Sequence, residues 1–141
     1  MRFDRIVPPA ADTPLTELEV EGAKLDLHGF LQFIGLTYGP DDGSVTMGWT
    51  ATREVTLRHD GNSGTLAGLA LTWTEVSRFE ASFQAAAGAA LRPGAMDYFE
   101  FRNDPEATMV FFFELGTLRI SGGALHGEVL FEEPSPFPVI Q

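Results

Sequence analysis

Thr72-Trp73-Thr74-Glu75-Val76-Ser77-Arg78-Phe79-Glu80-Ala81-Ser82-Phe83-Gln84-Ala85-Ala86-Ala87-Gly88 is the stretch on which the fold turns. Read with a period of two, Ser77, Phe79, Ala81 and Phe83 oppose Arg78, Glu80, Ser82 and Gln84, as in a strand with one buried face. Read with the helical period, Val76, Phe79, Phe83 and Ala86 form one apolar stripe. The helix is the favoured reading. Thr72-Trp73-Thr74-Glu75 fits a capping box, in which threonine and glutamate satisfy exposed amide hydrogens reciprocally, and alanine-rich sequence follows. The spacing therefore predicts one helix near 73–88, weakened at Gly88 and ended by Arg92-Pro93-Gly94.

On both sides of this stretch the period is two. Leu25, Leu27, Leu31 and Phe33 share one face of a segment whose other face carries Asp26, His28 and Gln32. After the loop signal Gly39-Pro40-Asp41-Asp42-Gly43, residues Met47, Trp49, Ala51, Val55 and Leu57 alternate with threonines, Glu54 and Arg58, which predicts a hairpin. His59 to Gly64 turns the chain into a third strand, Thr65 to Leu71. Beyond the helix, Asp97 to Arg102 and Met109 to Leu115 alternate again. Gly116 breaks or bulges the strand, and Ser121-Gly122-Gly123-Ala124 reads as a tight turn into Leu125 to Phe131. Consecutive strands with short connections pair most economically as neighbours. The expected fold is mainly β: a twisted antiparallel sheet or partly closed barrel with a closing meander, and one helix covering an edge or open face.

The ends differ from the body. Residues 1–14 carry Pro8, Pro9 and Pro14 and read as an extended segment along the surface, 15–133 as a single β-rich domain, and 134–141 as a proline-rich tail. That tail's Phe137, Val139 and Ile140 could pack on the body or on a second copy. A chain of 141 residues with 44% apolar residues and twelve phenylalanines can bury a core without covalent or metal staples. It has no cysteine, which excludes disulfides, thiolate nucleophiles and cysteine-ligated metals.

The amino terminus breaks into prolines and acids where a signal peptide has an apolar run, and no apolar stretch approaches the ~20 residues of a membrane-spanning helix. A cytoplasmic protein is the expectation. Twenty acids against nine bases give a net charge of −11, which repels phosphate backbones and disfavours nucleic acid while permitting a basic protein partner. The acids are spread along the chain, as on a solvated surface.

Candidate chemistry is sparse. Asp26 and His28 are two apart on one strand face, as are His126 and Glu128, so the two pairs would make a divalent-metal site if their strands were neighbours. Otherwise they are polar-face residues. His59 reads as a turn residue. Ser63 and Ser121 lack the strand-to-helix setting that exposes a catalytic serine, and no phosphate-binding glycine loop precedes Lys24. The sequence therefore indicates neither a catalytic set nor a cofactor. Phe112, facing away from Phe111 and Phe113, reads as part of a doubly covered central strand or as a contact surface; Trp49 and Trp73 read as core residues that each need a hydrogen-bond partner.

The layout of alternating strands, one helical segment and a closing meander resembles small bacterial β-rich proteins, toxin-neutralising immunity proteins among them. The acidic charge and the lack of a convincing catalytic set lead to the expectation of a non-enzymatic protein-binding module, of which an inhibitor of the immunity kind acting on a basic partner is one form. A small-ligand or metal-binding barrel, which could be an enzyme, and a structural subunit of a homo-oligomer are the other expectations. A pocket with converging polar groups would favour the former of these two.

Overall fold

The computed structural model describes residues 1–59, 62–83 and 95–133. They form ten strands: β1 (Arg2–Asp4), β2 (Glu17–Val20), β3 (Ala23–Asp26), β4 (Leu31–Gly39), β5 (Ser44–Ala51), β6 (Thr56–His59), β7 (Asn62–Phe83), β8 (Met96–Asn103), β9 (Ala107–Phe113) and β10 (Gly116–Phe131). The mainly β, antiparallel expectation holds. The main sheet runs β4-β5-β7-β10-β9-β8, with β1 added parallel to β10 and β6 antiparallel to β7, and β2–β3 forms a separate hairpin. Among the described residues there is no helix, and so none long and apolar enough to cross a membrane.

The predicted helix is the principal correction. Residues 73–83 continue β7, and 84–88 lie outside the described residues, as do the expected helix stop at 92–94 and the proline-rich tail at 134–141. The winning contacts are distant in sequence. From Leu66 to Phe83, β7 pairs with Phe131 back to Gly116 of β10, so Phe79 faces Ile120 and Ala81 faces Leu118 across the ladder. Glu75, read as the end of a capping box, instead takes φ +55° beside a register shift at Ser121/Gly122. The same irregularity corrects a second expectation: Ser121 to Ala124 is not a turn but a bulged stretch inside continuous β10.

The β4–β5 hairpin forms about Gly39–Gly43, while the segment from Leu25 to Phe33 is divided into β3 and β4 by a turn at 27–30. The stretch from Val45 to Arg58 likewise splits into β5 and β6. The opening segment is built into the fold: Arg2–Asp4 pairs with Ala124–His126, buried Ile6 bridges Val20, and Leu15 exchanges backbone hydrogen bonds with Phe99 of β8 at 2.8 and 2.9 Å.

The sheet curls strongly. In a flat sheet β4 and β9, four places apart, would lie about 19 Å from each other at the usual strand spacing. Instead the rings of Phe33 on β4 and Phe113 on β9 meet at 5.0 Å, and Trp49 on β5 reaches Phe111 on β9 at 6.0 Å. Phe111 is the hub of this concave core, with Trp73 edge-on at 5.7 Å and Phe99 at 5.9 Å. The β2–β3 hairpin covers the core in place of the expected helix, burying Leu18, Val20 and Leu25. Close approach of backbones permits the curl: a Cβ on Gly68 of β7 would lie 2.2 Å from the Trp49 carbonyl oxygen of β5. The sheet is not closed into a barrel. The terminal strands β4 and β8 do not pair, and the seam between them contains a cavity.

Candidate functional site

The seam is built by the turn joining β3 to β4. Asp26 Oδ1 accepts the backbone N–H groups of His28 at 2.9 Å and Gly29 at 2.8 Å, a side-chain-stabilised turn of the kind aspartate favours. Gly29 leaves room for that carboxylate, since a Cβ there would stand 2.4 Å from Asp26 Oδ2. The turn is fixed on both sides: Leu27 N–H donates to the Thr16 carbonyl at 2.8 Å, and Thr52 N–H to the Phe30 carbonyl at 3.0 Å. His28 then crosses the seam. Its Nδ1 lies 2.6 Å from the carbonyl oxygen of Met96, where β8 begins. A carbonyl can only accept, so Nδ1 carries the hydrogen and, in the neutral imidazole, Nε2 is left with its lone pair.

Beside this contact lies a cavity of about 600 Å³. Its walls are apolar, from Leu27, Leu31, Phe33, Ile34 and Met96. Its polar lining residues are His28, Gln32 and Thr52, and among the described residues no carboxylate or cationic side chain lines it. Both volume and composition fall within the range of sites that bury an apolar group and orient it through a few polar contacts. What the lining offers chemically is apolar contact and hydrogen bonding.

The seam also shows how differently the two sheet ends are treated. The outer edge of β8 is covered by the opening segment through Leu15 and Asp12, whose N–H donates to the Phe101 carbonyl at 2.8 Å. Among the described residues β4 pairs with β5 alone. Edge strands are ordinarily blunted by charges, proline or a bulge. From Leu31 to Gly39 there is neither charge nor proline, only a bulge between Phe33 and Gly35, and the edge exposes Ile34 at 65% and Tyr38 at 53%.

The two expected His–carboxylate pairs go to different places. Asp26 and His28 belong to the seam turn. His126 lies on β10 with Nδ1 2.5 Å from Asp4 Oδ2, tying β1 to β10, while Glu128 is exposed and stands opposite Ala70. Among the described residues no group of three or more histidines and carboxylates is placed to hold a metal ion. His59 ends β6 opposite Asn62, and exposed Ser63 lies opposite Arg58. Ser121 is buried, its hydroxyl 2.7 Å from that of Thr108.

Sequence reasoning passed over the cavity residues Gln32, Ile34, Thr52 and Met96. The available signal was the uncharged run from Leu31 to Gly39 in a chain of 21% charged residues.

On the convex face, a second and smaller hollow of about 100 Å³ lies among Arg78, Arg102, Arg119, Glu106 and Ser121. Arg78 chelates Glu80 at 2.7 and 2.9 Å, and Arg102 chelates Glu100 at 2.8 and 3.0 Å. Arg102 also lies over Phe112, which stacks on Tyr98 at 4.5 Å. Two of the three arginines are thus paired with glutamates, and the patch fits a solvated array of surface charges. No family model, no curated protein and no solved structure matches the chain.

Proposed function

We propose that this chain is a protein-binding module that takes an extended, basic segment of its partner as an added strand along β4. The carrying observation is the edge itself: nine residues without charge or proline, paired on one side only among the described residues, in a chain whose other sheet end is covered. Strand addition draws affinity from backbone hydrogen bonds along such an edge and specificity from the pockets that alternate side chains meet. Charge supports a basic partner. The net charge is −11, and acids flank the edge: Asp26 at the seam turn, exposed Asp97 after Met96, and Asp41 and Asp42 beyond the far end of β4. Arg53, over the ring of Phe30 at 5.8 Å, is the nearby base and is outnumbered. The inhibitor kind of module is one form this reading takes, since a basic active site is one source of such a partner.

The test is titration of the amide NMR spectrum with a short amidated peptide that alternates lysine and valine. The expected result is shifts concentrated in residues 31–39 and weakening by about tenfold on Ile34→Lys, which sets a like charge against the peptide. Shifts concentrated elsewhere, or binding unchanged by Ile34→Lys, would overturn the reading.

A further inference from the structure

We infer that the seam cavity is the specificity pocket of this strand-addition site and that it receives a tryptophan side chain of the partner, the indole N–H donating to Nε2 of His28. The inference rests on the proposed addition of a strand along β4, and it extends that reading from backbone pairing to the identity of one side chain.

Three observations converge on the occupant. The first is position: Leu31, Gln32, Phe33 and Ile34 belong both to the β4 edge and to the cavity lining. A strand laid along this edge directs every second side chain to the face its neighbour's side chains occupy, so one of them meets the cavity. The second is size and wall chemistry. A cavity of about 600 Å³ walled by leucines, Phe33 and Met96 exceeds what a short aliphatic side chain would fill, and methionine sulfur packs favourably against aromatic edges. Bulky aromatic anchors are the side chains that most often carry binding energy in such pockets.

The third observation selects among aromatics. Because the Met96 carbonyl holds Nδ1–H, the neutral His28 ring is fixed as an acceptor at Nε2. His28 is itself exposed and lines the cavity, so a side chain seated there covers its ring, and one that brings a hydrogen for Nε2 is favoured over an equally apolar one that leaves the acceptor unpaired. Indole N–H is a donor only and matches that need. Lysine would bring a donor as well, but the described lining residues offer its ammonium no carboxylate.

The test compares two short amidated peptides that alternate lysine and valine around one central residue, tryptophan in one and phenylalanine in the other. Binding is measured by calorimetry in mildly alkaline buffer, with the amide NMR spectrum reporting the location. The expected result is about tenfold tighter binding of the tryptophan peptide, a preference abolished by His28→Phe and kept in part by His28→Gln, which retains an acceptor. Equal affinities for wild type with shifts along residues 31–39, or a tryptophan preference that survives His28→Phe, would overturn the pocket assignment and leave strand addition standing. Binding of neither peptide would overturn both. Unchanged far-ultraviolet circular dichroism of the His28 variants excludes unfolding as the cause of any loss.

Discussion

The carboxylate of Glu21, at the tip of the β2–β3 hairpin, reaches the backbone of Val129 on β10: Oε2 accepts the Val129 N–H at 3.1 Å while Oε1 pairs with Arg5 Nη2 at 2.6 Å. This carboxylate is nearly withdrawn from solvent, with 8% of its side chain exposed, whereas the arginine remains 47% exposed. The hairpin that covers the core is thus tied to the main sheet by a buried charge as well as by Leu18, Val20 and Leu25.

Glu21→Ala is expected to lower unfolding stability by about 2–3 kcal/mol, because it leaves the Val129 amide unpaired and removes a charge-assisted bond. Alanine and glutamate bear a similar cost at the φ of +52° here, so the comparison isolates the carboxylate. Glu21→Gln, which keeps an oxygen for Val129, should lose roughly half as much. Urea unfolding of the three proteins measures both. Equal stability of Glu21→Ala and wild type would show that the hairpin is held by its apolar face and backbone bonds without the carboxylate.

Two glycines on neighbouring parts of the sheet should respond in opposite directions. Gly68→Ala places a methyl against the Trp49 carbonyl, an obstacle of backbone that cannot rotate away, and about 1–3 kcal/mol of stability should be lost. At Gly35, beside the β4 bulge, a Cβ meets nothing within 4 Å, so Gly35→Ala should be neutral or stabilising by up to about 1 kcal/mol. If both substitutions behave alike in thermal unfolding, the tight crossing of β5 and β7 is not what shapes the curl.

The core should be most sensitive at Phe111, which touches Trp49, Trp73 and Phe99. Phe111→Ala is expected to cost about 3–5 kcal/mol and to abolish the near-ultraviolet circular dichroism of the tryptophans. Trp73→Phe should cost less than half as much. Both indole nitrogens are buried without a hydrogen-bond partner among the described residues, so removing one discards an unsatisfied donor along with the volume. A Trp73→Phe loss as large as that of Phe111→Ala would mean that the indole N–H is satisfied after all.

What the sequence disclosed and withheld follows from the range of the deciding interactions. Alternation of apolar and polar residues is local, and it located the strands around Met47–Trp49, Leu69–Leu71 and Phe99–Phe113. In the stretch from Thr72 to Phe83 the same phenylalanines satisfy both periods. The choice was made by the ladder to Gly116–Phe131, some 40 residues away, which no local pattern contains. Ser121 to Ala124 looked like a turn because glycines serve turns and bulges equally well. The histidines were visible but their partners were not: Asp4 reaches His126 across 122 residues, and the Met96 carbonyl reaches His28 across 68. The cavity was the least legible feature, because it belongs to the gap between two strand ends that curl toward each other without pairing.

Acid should loosen the far end of β4. The carboxyl of Asp42 is held below the ordinary carboxylate value because Ser44 donates to it from its hydroxyl and from its backbone N–H, the latter at 3.0 Å. A group whose folded value is depressed contributes stability that is fully present above its unfolded value and is lost as pH falls through the folded one. The melting temperature of wild type should therefore exceed that of Asp42→Asn at neutral pH, and the gap should close as the pH is lowered below the carboxylate range. A gap that is constant with pH would mean that the turn depends on the shape of residue 42 and not on its charge.

Salt should act mainly on how fast a basic partner arrives. The acids that flank β4 lie outside the cavity, so they attract a cationic segment at long range without being buried beneath it. The Debye length shrinks from about 10 Å at ~0.1 M salt to about 3 Å at ~1 M, which screens that attraction but leaves backbone pairing and the His28 contact nearly intact. For the lysine–valine peptide with central tryptophan, the association rate should fall by about tenfold over this range while the dissociation rate changes by less than about threefold. Stopped-flow measurements separate the two. If the dissociation rate carried the salt dependence instead, the peptide's lysines would be making close ion pairs in the complex, and the acids at Asp26 and Asp97 would have to be counted as contact residues of the site.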